Sequence, residues 1–300
     1  MKRRRAPRRA IWSRPAECAR GLLVLVVGGL SGISAPAATA SPLSDSQLEH
    51  CLRKGKIVDN RLIGTGVTRP KRLELECNGT IVAAAFKTYD EERPGLTRFE
   101  DAAPELQFTD SYRYEVAAYS IDRYLGLNMV PVVVKRQVGR DLGATIAWVE
   151  DAISPEELRQ RPLTDAQRSR LKFQEGLMVL FDSLIKNVDR NQGNMKITPD
   201  DLRLHLIDHS RSFRRDERLS AKLVNQRIAI PEGVYERLRR LSRMEDKELR
   251  NLTQKSISRA RSRAVISRAA LIVAKIDEQR AAYGDDVVFR PLPPLESDSP

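Results

Sequence analysis

Near residues 148–153 the hydrophobic period of the chain changes, and this change restricts the fold more than any other feature. Before it, short apolar runs alternate with charge and end at turn formers. Leu73, Leu75 and Cys77 alternate with charged residues, Asn78-Gly79 is a two-residue hairpin signal, and Ile81–Phe86 is an apolar run, so Ile57–Tyr89 reads as strands. Val130–Val138 and Ala144–Val149 read as two more, joined by a turn at Gly139–Gly143. One helix interrupts them at Ser111–Leu127, ended by Gly126, and Asp90–Asp110 reads as a polar loop. After the change, Gln167–Asp189 carries Leu177, Phe181, Leu184 and Val188 at helical spacing, and Val234–Gln279 is Arg-rich and helical. Two short β segments, Asn194–Ile197 and Leu202–Ile207, lie between these helices. Strands first and helices after imply an α+β, two-lobed plan. The expected divisions are a β-rich N-terminal lobe with one helix (57–150) and a mainly helical C-terminal lobe (151–284). They are preceded by a polar lead-in (41–56) and followed by a disordered, proline-rich tail (285–300).

Residues 1–40 read as an export address. Eight Lys and Arg against the single acid Glu17 run into the apolar or small stretch Gly21–Ala35, and Ala38-Thr39-Ala40 offers a small-x-small cleavage site. The stretch is shorter than the roughly 20 residues of a spanning helix, so a signal peptide is preferred to an uncleaved anchor. This segment holds +7 of the net +12. With most of the excess charge there and aromatics at only 5%, no nucleic acid partner is expected. Three cysteines exclude a disulfide framework and a Cys-rich zinc site. Once Cys18 is removed with the signal, Cys51 and Cys77 can pair in an oxidising compartment or remain buried thiols. Sequence leaves both open, because it does not show whether their Cα atoms approach.

Chemistry concentrates in Asn187-Val188-Asp189-Arg190-Asn191-Gln192-Gly193-Asn194, which ends a buried helix and precedes a strand. Fourteen residues beyond Asn194, Asp208 follows the apolar strand at Leu206-Ile207. Oxygen ligands from Asn194 and Asp208 suit a hard cation such as Mg2+ holding phosphates, and Asp189 can accept or orient a hydroxyl proton. The β-rich half supplies candidates in a matching order. Lys87 ends an apolar strand, where an ammonium group costs desolvation unless it meets an anion. Glu115 lies in the helix and can pair with it, and Gly64-Thr65-Gly66 is a loop whose backbone can approach phosphates. Singly, each has a plain alternative as a snorkelling lysine, a solvated glutamate or an ordinary turn; it is their conjunction that points to phosphoryl transfer.

At these residues the chain resembles the atypical branch of the protein-kinase-like superfamily. That branch includes phosphatidylinositol 3-/4-kinases, HipA-type kinases and the four-jointed/Golgi casein-kinase group of secretory kinases. The resemblance spans residues 57–280 and is carried by Tyr114–Arg123, the run Leu127–Val134, the Asp189–Asn194 loop and Ile207-Asp208-His209. It implies ATP between two lobes, with Lys87 on the phosphates, Glu115 as its partner and the Gly64 and Gly66 loop nearby. It also implies Asp189 as catalytic base, Asn194 and Asp208 as metal ligands, and Trp148, Val149 and Glu150 as the hinge whose backbone faces adenine. The chain departs from the common pattern: Asn187-Val188-Asp189 replaces His-Arg-Asp, Asp208-His209-Ser210 replaces Asp-Phe-Gly, and no Ala-Pro-Glu segment follows. The acceptor therefore stays open.

Other candidates are weaker. His50, His205 and His209 lack metal-ligand spacing and are expected to be structural. Adjacent Asp208-His209-Ser210 cannot adopt triad geometry. Arg237–Arg268 is interspersed with acids and reads as a solvated helical face. The expected function is an exported, ATP- and Mg2+-dependent phosphotransferase acting on a hydroxyl. The alternatives are a silent kinase-like binding module and a basic binder of the cell-envelope surface.

Overall fold

A computed structural model describes residues 43–64, 69–93, 95–98, 104–106 and 108–295. The expected signal segment and Gly66 lie outside the described residues. The described residues open with helix α1 (Asp45–Lys54), whose N-cap Ser44 and N3 residue Gln47 form a reciprocal capping box. This corrects the expected polar lead-in: Leu48, Cys51 and Leu52 recur at helical spacing and pack on the core. Strands β1 (Lys56–Leu62), β2 (Lys71–Cys77) and β3 (Thr80–Lys87) follow. The β2–β3 turn has Asn78 and Gly79 at φ 52° and 83°, the left-handed conformation that a tight hairpin demands. Four short strands come next, β4 (Asp90–Glu92), β5 (Leu96–Thr97), β6 (Glu105–Leu106) and β7 (Thr109–Ser111), pairing β4 with β7 and β5 with β6 where a loop is expected.

Helix α2 (Tyr112–Leu125) and strands β8 (Val133–Val138) and β9 (Asp141–Ala147) complete this half. The main sheet runs β1-β2-β3-β9-β8, antiparallel throughout, with Leu73 opposite Ala84 and Lys87 opposite Ala144. Leu73, Leu75, Ala84 and Phe86 are buried together with Val116, Ala117, Ile121 and Leu125 of α2. Among the described residues α2 is the helix within 57–150, as expected, and α1 from the lead-in packs on the same sheet. Cys51 of α1 and Cys77 of β2 form a disulfide with a Cα–Cα distance of 5.7 Å. Gly55 lies against it so closely that a Cβ there would meet Cys77 Sγ at 2.5 Å.

Beyond the connector come α3 (Pro155–Arg159) and α4 (Asp165–Ile185), the hairpin β10 (Met195–Thr198) and β11 (Arg203–Leu206), and then α5 (Ala221–Val224), α6 (Glu232–Leu241), α7 (Asp246–Leu252), α8 (Arg259–Tyr283) and α9 (Asp285–Val288). α4 buries Leu177, Leu180, Phe181 and Leu184. It stops short of the expected Asp189 because Lys186 turns left-handed at φ 51° and the Asn187 N–H returns to the Asp182 carbonyl at 2.8 Å. Ile153 bridges to Ile197, and the Leu206 N–H reaches the Met129 carbonyl at 2.8 Å, so the β10–β11 hairpin is seated on the connector and the chain leading into β8.

Two expectations change in the helical half. Arg261 and Arg268 are buried rather than solvated. Arg268 Nε donates to the Leu184 carbonyl at 2.7 Å and its Nη1 to the Arg214 and Asp216 carbonyls at 3.1 and 2.5 Å. Arg261 donates to the Phe213 carbonyl at 2.7 Å and pairs with Glu92 at 3.1 Å. The irregular chain from Phe213 to Asp216 exposes carbonyls to the interior, and the five-donor guanidinium supplies what a helix ladder would have supplied. Burial lowers the Arg268 pKa to about 10, against the pull of Asp216 and Glu217. The chain after residue 284 is also ordered as far as it is described. Val288 is buried, Phe289 pairs with Ile230, and Arg170 donates to the Pro293 carbonyl at 2.6 Å.

Candidate active site

A cleft of about 690 Å³ opens between the sheet and the β10–β11 region. Ile63, Pro70, Ala85, Lys87, Trp148 and Val149 line one side of it, and Asp189, Ile207, Asp208, Ser210 and Arg211 the other. The β1–β2 loop is closed at its neck by the Ile63 N–H on the Pro70 carbonyl at 2.9 Å. Gly64 is an exposed bend in that loop and is not part of the lining; Gly66 is outside the described residues.

Lys87 is placed by β-sheet register. It sits at the end of β3 beside Gly143, where any Cβ would overlap the Lys87 carbonyl oxygen. Its Nζ is 2.7 Å from Glu115 Oε1 and 2.9 Å from Asp208 Oδ1. Glu115 occupies the first turn of α2, whose N-cap Ser111 donates its N–H to the Ser210 carbonyl at 2.9 Å, so the helix start and the Asp208 segment are fixed to each other. Burial alone would push the Glu115 carboxyl up; the Lys87 charge and hydrogen bonds from His209 and Lys87 overcome it and hold the carboxyl well below the usual range. Burial likewise opposes the charge on Lys87, but Glu115 and Asp208 together keep it protonated beyond its ordinary range. Asp208 adopts φ 58°, and its Oδ1 also accepts from Ser210 Oγ at 3.0 Å.

Asp189 and Asn194 share one loop. The Asn194 side-chain amide donates to the Asp189 carbonyl at 2.8 Å, and the Asp189 N–H donates to Asn187 Oδ1 at 3.1 Å. Asp189 lines the cleft, half-buried, 3.8 Å from Arg211. Burial raises its pKa and Arg211 opposes this, while Asp208 and Glu105 add to the rise, a direction that favours proton acceptance. Asn194 is not among the residues that line the cleft. At the connector, the Trp148 N–H is already taken by the Ala83 carbonyl at 3.0 Å and its ring lies under Arg72. Glu150 is exposed, outside the lining, and paired with Arg72 at 3.7 Å.

Arg190, Asp182 and Asp110 also belong to the site, although no sequence motif marks them. Arg190 Nε and Nη2 hold Asp182 Oδ2 and Oδ1 at 2.9 Å each, and Nη1 donates to the Asn194 and Ile207 carbonyls at 2.7 Å each. An acid on the apolar face of α4 was the available signal for Asp182, since a buried carboxylate needs a partner. Asp110, which also lines the cleft, has its pKa raised by burial and by Asp208. Among the described residues, no three His, Cys, Asp or Glu side chains form a metal centre by themselves. Asp208, on the cleft wall, offers a hard carboxylate oxygen of the kind that a divalent ion accepts when phosphates or water complete its shell.

No protein-family model matches the chain, and no curated protein is similar to it in sequence. Solved structures are similar in fold. A Golgi casein kinase with Mn and ADP bound superposes with a TM-score of 0.59 at 15% identity, over 82% of this chain and 78% of that one. A hydra Fam20 with sugar gives 0.58 at 15% identity, over 81% and 91%. A further structure of the Golgi casein kinase gives 0.58 at 16% identity, over 82% and 79%. The fold is kinase-like. The five-stranded sheet with α2 and the helical half beyond the connector stand as its two lobes, and the cleft holding Lys87 lies between them.

Proposed function

We propose that the protein is an ATP- and Mg2+-dependent phosphotransferase that acts on a hydroxyl outside the cytoplasm. The observation that carries this reading is Lys87, which bonds to Glu115 and Asp208 at once on the wall of a cleft that Asp189 also lines. Lys87 would bind the phosphates, the loop with Gly64 and Gly66 would cover them, and the connector backbone at Val149, which lines the cleft where Glu150 does not, would meet adenine. Asp208 and Asn194 would hold the divalent ion, which when bound neutralises phosphate charge. Asp189 would orient the acceptor hydroxyl and take its proton as the oxygen attacks the γ-phosphorus and the bond to the β-phosphate oxygen breaks, releasing ADP. The neighbouring casein-kinase structure, which holds Mn and ADP, supports the nucleotide and metal part of this reading. The Cys51–Cys77 disulfide and the export-like first forty residues support the location. Within the superfamily we place the chain in the atypical branch with the secretory kinases, alongside the phosphatidylinositol 3-/4-kinase-like and HipA-type members.

The test is transfer from γ-labelled ATP to cell-envelope extract by wild type and by Asp189→Ala. The variant is expected to bind MgATP as wild type does and to lose transfer by about 100-fold or more. Wild-type turnover by Asp189→Ala removes the proposed base. A wild-type protein that binds MgATP without any transfer makes it a binding module instead.

A further inference from the structure

We propose that His209 is a positioning residue: it ties Glu115, and through it Lys87, to the loop that carries Asp189 and Asn194. The proposal rests on the phosphotransferase reading of the same cleft. His209 is fully buried and lies outside the cleft lining, so it does not touch a substrate there. Its Nε2 is 3.0 Å from Arg190 Nη2. A guanidinium only donates, so Nε2 accepts and the ring proton sits on Nδ1. Nδ1 is 3.4 Å from Glu115 Oε2, and the His209 backbone N–H donates to the same oxygen at 3.0 Å. The ring is therefore a neutral Nδ1–H imidazole that donates to Glu115 and accepts from Arg190.

Both ends of the link are anchored. Arg190 grips Asp182 with two nitrogens and the Asn194 and Ile207 carbonyls with a third. Glu115 turns its other oxygen to Lys87 at 2.7 Å. Contacts thus run without a gap from the Asp189–Asn194 loop through Arg190, His209 and Glu115 to Lys87. An apolar ring at this position keeps the edge-on contact with Phe181, whose centroid is 6.0 Å away, but serves neither Arg190 nor Glu115. Glu115 would then retain only one backbone donor on Oε2, and Lys87 would be shared less evenly with Asp208.

The experiment uses the full chain with 15N-labelled histidine. The ring nitrogen spectrum of His209 is expected to show the neutral Nδ1–H tautomer; the Nε2–H tautomer or an imidazolium at neutral pH overturns the proposal. His209→Phe is expected to fold with wild-type circular dichroism and to bind MgATP about fivefold or more weakly, with His209→Asn, which retains a donor toward Glu115, in between. The double variant His209→Phe/Glu115→Gln should bind no more weakly than Glu115→Gln alone, since both cut the same link. Wild-type affinity in folded His209→Phe, or full additivity in the double variant, contradicts the positioning role. If His209→Phe does not fold, His209→Asn and the tautomer decide. If the wild-type protein fails to bind MgATP, the phosphotransferase reading falls, and the tautomer still decides the link.

Discussion

Lys87 places one positive charge between two carboxylates, and burial makes that arrangement strongly interdependent. For Glu115 the balance has a sign that can be measured. Its folded pKa lies below the ordinary value of 4.5, so its contribution to stability is complete above that value and is lost as pH falls through the folded one. Glu115→Gln should therefore be less stable than wild type at pH ~7, and its urea midpoint should fall less steeply between pH ~5 and ~3. Parallel midpoints over that range would show that Glu115 does not carry this linkage. The Lys87–Glu115 pair was legible only from the conjunction of candidates, since a strand-end lysine taken singly reads more plainly as snorkelling. Arg190 and His209 were not, because their partners are backbone carbonyls and side chains that only tertiary folding brings near.

At the scale of elements, α1 and α8 show what patterning conceals. α1 looks polar, yet Cys51 and Leu52 are buried and its disulfide fastens the helix to the end of β2. The bridge closes a loop of 26 residues, so its reduction should cost about 3 kcal/mol, seen as a lowered urea midpoint in dithiothreitol. An unchanged midpoint with both thiols shown to be free would refute the clamp. The acids interspersed along Arg237–Arg268 suggested a solvated face, but Arg261 and Arg268 of α8 turn inward to serve the Leu184 carbonyl at the end of α4 and the carbonyls of Phe213, Arg214 and Asp216. That need cannot be read from helical spacing, since it arises from irregular backbone elsewhere.

At the scale of the molecule, the two-lobed α+β plan was legible because the change of period near residues 148–153 coincides with the end of β9 and the start of the helical half. The Asn78-Gly79 turn and the strand alternation set the β2–β3 register, and that register delivers Lys87 to the cleft. Lys87, Glu115 and Asp208 meet although 121 residues separate the first from the last. The short strands β4 to β7 were hidden in a polar stretch because each is only two or three residues long and carries no apolar alternation to mark it. Calorimetric titration of the full chain with ATP, with and without Mg2+, tests the central claim most directly, beside Asp208→Ala under the same conditions. The account predicts saturable, Mg2+-dependent binding by wild type and a loss of about tenfold or more, with the Mg2+ dependence gone, in Asp208→Ala. Absence of binding by wild type at millimolar ATP, or unchanged Mg2+-dependent binding by Asp208→Ala, would contradict it.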